Sequence, residues 1–346
     1  MIPRTPGDVT ADWLTGVLGA EVQAVRVTPI GTGQTGATYR LTVEYTDETG
    51  LPASFAVKLP AQDDTVRDRV AIGYRSEHAF YNDIADLVSV PVPQSYYCEI
   101  EDDGAEFVLL LADLAPARQG DQIAGCSAGD ALLAVRALAG LHAPSWCDPK
   151  WTDFPGIAMP RPDSAMASGM GEVATMASGI TVEKLGPRLS AVDRETLEAA
   201  LSMVTPWLLA EPERFALLHG DYRLDNMLFD PGHTAVTIVD WQTLGSGLPA
   251  RDLAYFTGTS LDPDVRAHAE AQLVDAYHAE LLSLGVTGYD RETCWRDYRL
   301  GMLQAPLIIA FGTAFAAATD RGDEMMLVMA KRSCAAIREL DTFALI

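Results

Sequence analysis

The sequence predicts an α+β fold in which a β-rich first third carries one long helix and the remainder is mostly helical. Three observations predict it. Short β-branched runs broken by glycine fill residues 22–57, as "VRVTPI", "ATYRLTVEY" and "SFAVKLP". Helical periodicity dominates from Ala128 onward. A single β-hairpin, "NMLFDPGHTAVTIVD", interrupts those helices. The division falls near Leu111–Asp113, so residues 1–112 are expected as one lobe and 113–346 as the other.

Each element has its own reason. "TADWLTGVLG" reads as a short helix capped by Thr10 and stopped by Gly19. The strands that follow form an antiparallel meander. "TVRDRVAIGYRSEHAFYNDIADLV" reads as a helix with Phe80, Ile84 and Leu87 or Val88 as its apolar stripe. "SYYCEIEDDGAEFVLLLADL" reads as a hairpin turning at Asp103-Gly104. "AGDALLAVRALAGLH" begins the helical part. The apolar run from Met302, "MLQAPLIIAFGTAFAAA", is too short for a membrane span and contains Gln304 and Pro306, so it reads as a buried helix. The stretch from Pro160 to Ile180 is rich in Met, Ala, Ser and Gly and shows the weakest periodicity.

With 48% apolar residues the chain can bury a large core, and a net charge of −23 argues against a nucleic-acid or anionic-membrane partner. Five scattered cysteines contain no C-x-x-C pair, so neither a zinc site nor a disulfide framework is expected. "MIPRTPGDVTADWL" has no apolar h-region, and a cytoplasmic protein is expected.

Four features carry chemistry. "GTGQTG" (Gly31, Gly33, Gly36) matches G-x-G-x-x-G but is followed by a strand, not a helix, so the dinucleotide-binding context is absent. A glycine-rich hairpin whose bare backbone can lie over phosphates remains. Lys58 sits among apolar neighbours in "FAVKLP" and needs a partner, because an unpaired buried ammonium is costly. Glu77 shares the inward helix face with Phe80, Tyr81 and Ile84 and offers one. In the late hairpin, Asn226 begins one strand and Asp240 ends the other, so both reach the same mouth, and Asp221 lies in the loop leading in. Oxygen ligands of this kind suit Mg²⁺ held largely by water and substrate phosphates.

Taken in order, the glycine-rich hairpin, strand lysine, helix glutamate, His219-Gly220-Asp221, Asn226 and Asp240 resemble the kinase fold. More narrowly, "HGDYRLDN" and "VDWQ" resemble the aminoglycoside phosphotransferase and choline kinase group. "GYRSEHAFYNDI", "FVLLLADL", "LAGLHAPSW" and "HGDYRLDNMLF" are most similar to its ecdysteroid-kinase-like branch. The catalytic loop reads His-Gly-Asp, Asp240 precedes Trp-Gln, and only about ten residues separate Asp240 from "RDLAYF", too few for a peptide-binding activation loop.

The resemblance implies a two-lobed fold and an ATP- and Mg²⁺-dependent phosphotransferase acting on a small-molecule hydroxyl. It implies that Gly31, Gly33 and Gly36 cover phosphates. Lys58, oriented by Glu77, would hold the α- and β-phosphates, and the backbone at Leu111–Asp113 would receive adenine. Asn226 and Asp240 would hold the metal, and Asp221 would accept or orient the hydroxyl. Asp252 would brace the catalytic loop, while His142 reads as a packed helix residue. Residues 151–180, with Trp151, Phe154, Ile157, Met159, Met166, Met170 and Met176, are expected to line an acceptor pocket for an apolar or amphipathic alcohol. A cationic aminoglycoside- or choline-type acceptor, and a nucleotide-binding pseudokinase, are the alternatives. Oligomeric state is not readable from the sequence.

Overall fold

The computed structural model describes residues 2–30, 36–101 and 104–346. Helix α1 (Ala11–Leu18) starts where Thr10 Oγ accepts the Trp13 N–H at 3.2 Å, and ends at Gly19 with φ +67°. Strands β1 (Val22–Ile30), β2 (Gly36–Tyr45) and β3 (Ser54–Pro60) follow, then α2 (Asp64–Ala79), β4 (Ser95–Ile100) and β5 (Phe107–Ala112). These five strands form one antiparallel sheet in the order β1-β2-β3-β5-β4. Gly104, at φ +77°, belongs to the β4–β5 turn; Asp103 lies outside the described residues.

Helix α2 does not run on unchanged. It widens into a π-turn at Phe80–Ile84 and tightens into a 3-10 turn at Ala85–Leu87. Widened turns of this kind recur at functional sites, and this one places Phe80 against the segment after Asp240. Of the two residues offered to close the apolar stripe, Val88 packs on the core and Leu87 is exposed.

After a two-residue strand β6 (Arg118–Gln119), helices α3 (Ala128–His142), α4 (Ser164–Leu185), α5 (Ala191–Ser202) and α6 (Val204–Leu208) lead to β7 (Ala216–Leu218). The hairpin β8 (Met227–Phe229) and β9 (Val236–Ile238) pairs Met227 with Ile238, and β10 (Gly245–Gly247) pairs with β7. Helices α7 (Ala250–Ser260), α8 (Pro263–Ser283), α9 (Arg291–Gly301), α10 (Gln304–Phe315) and α11 (Asp320–Glu339) complete the chain. No helix among the described residues is long and apolar enough to cross a membrane.

Two apolar cores result. One, on the α1 face of the sheet, holds Leu41, Val43, Phe55, Val57, Leu59, Val108 and Leu110. The other runs from α2 through the helical part and takes Phe107 and Leu109 from the opposite face of β5. The alternation along β5 is the period-2 geometry of a strand buried on both faces.

Candidate active site

Lys58 projects from β3 between two acids. Its Nζ lies 2.7 Å from Glu77 Oε2 and 3.0 Å from Asp240 Oδ1. Burial disfavours the ammonium, but the carboxylates of Asp240 and Glu77 overbalance it and raise the lysine pKa, so Lys58 is held charged. Burial likewise opposes ionisation of Asp240, and the Lys58 charge reverses this and keeps Asp240 below the usual carboxylate value. Glu77 is almost fully buried, and there burial wins, pushing its pKa up.

Three consecutive residues bind this cluster together. Asp240, with φ +69°, meets Lys58. The Trp241 ring lies on Phe80, centroids 3.6 Å apart. Gln242 Nε2 donates to Glu77 Oε2 at 3.4 Å. The left-handed backbone at Asp240, uncommon for a non-glycine residue, turns the chain so that all three can reach α2 and β3.

The hairpin mouth lies beside it. The Val239 N–H donates to the Asn226 carbonyl at 3.0 Å, which closes β8 on β9 and sets Asn226 near Asp240. The Asn226 side-chain nitrogen donates to the Asp221 carbonyl (2.9 Å) and to Asp221 Oδ2 (3.2 Å). Its amide oxygen therefore faces away from Asp221. The Asp221 carboxylate also accepts from Tyr255 Oη at 2.8 Å and from Arg223 Nε at 2.9 and 2.8 Å, and keeps 22% of its side chain exposed.

Beneath the loop sits Asp252, with no exposed surface. It accepts the backbone N–H groups of His219 (2.6 Å) and Gly220 (3.1 Å), and His142 Nε2 lies 3.4 Å away. A buried carboxylate needs such donors, and these fix the loop. His142 is equally buried, with Nδ1 2.7 Å from Tyr277 Oη. It is a packed helix residue.

The other expected positions divide. Gly31 and Gly33 lie outside the described residues, and Gly36 opens β2. Leu111 pairs across the sheet with Ala56 and Ser95. The Asp113 side chain is occupied structurally. It accepts from Arg40 Nε (2.7 Å), Ser54 Oγ (2.5 Å) and the Ala115 N–H (3.1 Å). In the 151–180 stretch, Trp151 is core, while Met166 and Met176 on α4 are exposed. Met159 reaches the His219–Asp221 loop: a Cβ added at Gly220, which has φ +80°, would lie 2.3 Å from its Cε.

Arg223, Tyr255, Trp241 and Gln242 escaped the sequence reading as contributors. The alternation of opposite charges Asp221, Arg223, Asp225 is the available signal, since charges this close along the chain can pair.

A stretch of 63 residues is 36% identical to acyl-CoA dehydrogenase family member 11 of Gallus gallus, over 17% of this chain and 8% of that protein. Another of 60 residues is 38% identical to acyl-CoA dehydrogenase family member 10 of Mus musculus, over 16% and 6%. These matches span less than a tenth of the relatives' length. Choline kinase from Cryptosporidium parvum Iowa II superposes with TM-score 0.59 at 9% identity, covering 93% of this chain and 91% of that one. Plasmodium vivax ethanolamine kinase gives 0.56 at 12%, covering 91% and 83%. The GDP complex of aminoglycoside 2'-phosphotransferase-IIIa gives 0.55 at 16%, covering 94% and 98%. At such identities the likeness establishes the α+β, two-lobed kinase-like fold. Residues 26–293 match the phosphotransferase enzyme family, and the chain belongs to that family.

Proposed function

We propose that this protein is an ATP- and Mg²⁺-dependent phosphotransferase that phosphorylates a hydroxyl of a small molecule. The observation that carries this reading is the Lys58 ammonium joined to both Glu77 and Asp240, next to the hairpin mouth that presents Asn226 and Asp221. Residues 1–112 would hold the nucleotide, with Gly31, Gly33 and Gly36 over the phosphates and adenine at the Leu111–Asp113 backbone. Residues 113–346 would hold the metal and the acceptor. GDP in the aminoglycoside 2'-phosphotransferase-IIIa complex makes GTP the natural second nucleotide to test.

The residues at the mouth fit the metal. The Asn226 amide oxygen and the Asp240 oxygen not engaged by Lys58 are hard donors. Among the described residues no group of three or more His, Cys, Asp or Glu is placed to hold a metal ion. One carboxylate and one amide suit Mg²⁺, which is bound by few protein ligands together with phosphates. Bound there, the ion would neutralise phosphate charge. Lys58 would hold the non-transferred phosphates, with Glu77 and Gln242 fixing its position. Asp221, oriented by Tyr255, Asn226 and Arg223, would accept the acceptor hydroxyl's proton. Positioning and charge would supply most of the rate.

For the acceptor we favour an apolar or amphipathic alcohol, as in the ecdysteroid-kinase-like branch. Met159 is partly exposed against the catalytic loop, and Phe154 and Ile157 lie in the same segment. The five cysteines are unpaired, which suits the reducing cytoplasm. The test is ADP release from MgATP with a panel of alcohols. Stimulation by hydrophobic alcohols but not by kanamycin-type polycations is expected. Stimulation by polycations alone would overturn the acceptor class, and no phosphoryl transfer to any alcohol would overturn the activity.

A further inference from the structure

We propose that Arg321 is a positioning residue for Asp221, acting through Asp225 and Arg223; the inference rests on the phosphotransferase reading. Arg223 stands between two acids. Its Nε donates to both Asp221 oxygens, and its Nη1 donates to Asp225 Oδ2 at 3.1 Å. Arg321, from the first turn of α11, donates Nη1 to Asp225 Oδ2 and Nη2 to Asp225 Oδ1, each at 2.9 Å. The charges alternate from Asp221 to Arg321 as minus, plus, minus, plus.

An ordinary surface ion pair would contribute little. This one differs in three respects. Asp225 is 11% exposed, against 46% for Arg321, so the arginine serves a nearly buried acid. The contact is a two-pronged fork, which fixes direction as well as distance. A cation in the first turn of a helix is also opposed by the helix dipole, so α11 itself gives no reason for Arg321 to be there. The catalytic loop does.

Removing Arg321 leaves Arg223 to serve two carboxylates. Asp225 is the more buried of them and gains most from the guanidinium. Arg223 would be drawn toward it and loosen its hold on Asp221, leaving Tyr255 and Asn226. The four-residue chain would also gain a net negative charge, to which Asp121, 3.7 Å from Arg321 Nη2, adds, beside the place where phosphates would sit, which opposes transfer.

The test compares Arg321→Ala, Arg321→Lys and a control, Arg188→Ala, which breaks a different α11 surface pair, Arg188–Glu324. Amide hydrogen exchange is followed in peptides spanning 219–226 and 54–60, alongside kcat for ADP formation and Tm. Arg321→Ala should speed exchange in 219–226 about tenfold, leave 54–60 unchanged, and lower kcat about tenfold with little change in Tm. Arg321→Lys, which keeps the charge but not the fork, should fall between. Exchange in 219–226 that matches the Arg188→Ala control overturns the proposal, and so does faster exchange with an unaltered kcat. If the wild-type protein forms no ADP, the phosphotransferase reading fails, while the exchange comparison still decides whether Arg321 holds the loop.

Discussion

Trp241 lies flat on Phe80, with ring centroids 3.6 Å apart and planes 4° from parallel. Neither ring is solvent-exposed. The stack joins the residue after Asp240 to the widened turn that follows the Glu77 helix. Trp241→Ala should therefore cost about 3–5 kcal/mol, the usual range for a buried aromatic, and should lower activity more than Trp241→Phe. Chemical denaturation and kcat on the same samples check this. Equal activity in the two variants would detach the stack from the site.

Asp221→Asn should reduce kcat by about 10²–10⁴, the contribution of a positioned general base. Nucleotide affinity should stay near wild type, because Asp221 touches Tyr255, Arg223 and Asn226 but not Lys58. Isothermal titration with the nucleotide, run beside steady-state kinetics, separates the two effects.

Lys58→Met and Glu77→Gln should each impair transfer, and the double variant should be little worse than the poorer single one. The pair is in direct contact, and residues that act as one unit are non-additive. Multiplicative losses would contradict this.

Asp240→Ala should abolish Mg²⁺-dependent activity, and Asn226→Ala should raise the Mg²⁺ requirement less severely, since an amide carries no formal charge. Activity titrated against Mg²⁺ distinguishes them. Full activity of Asp240→Ala would remove the metal from the hairpin mouth.

Asp113 gives a pH prediction. Burial raises its pKa, but hydrogen bonds from Arg40, Ser54 and the Ala115 N–H outweigh that and hold it below the ordinary carboxylate value. The folded pKa lies below the unfolded one, so the stabilisation is fully present above about pH 4 and is lost as pH falls through the folded value. The Tm gap between wild type and Asp113→Asn should be constant near neutrality and shrink on acidification. A gap that widens in acid would give the shift the wrong sign.

What the sequence made legible was local or anomalous. The hairpin follows from period-2 runs around Pro231-Gly232, and its two ends had to meet. Lys58 and Glu77 were legible because each is a charge in an apolar setting and one resolves the other. What stayed hidden depends on packing between distant elements. Tyr255 looks like one more core aromatic of α7 until its hydroxyl is seen on Asp221. Arg321 looks like a surface charge, and Gln242 like a loop amide. The methionines of residues 151–180 show why composition misleads: Met159, Met166 and Met176 are all exposed, and of the three only Met159 is placed against Gly220.

The division of the apolar core has a further consequence. Lys58 rides on β3, whose neighbours Val57 and Leu59 belong to the core that also takes Leu14 of α1, whereas Glu77 shares α2 with Tyr74, which packs into the helical core. The ion pair thus joins two elements that pack into different apolar cores. Sub-global opening of the α1 face would carry Lys58 away and leave Glu77 held by Gln242, with the loop still anchored on Asp252. Under mild denaturant, phosphate binding should therefore fail while the catalytic loop remains folded, giving inactivation ahead of global unfolding.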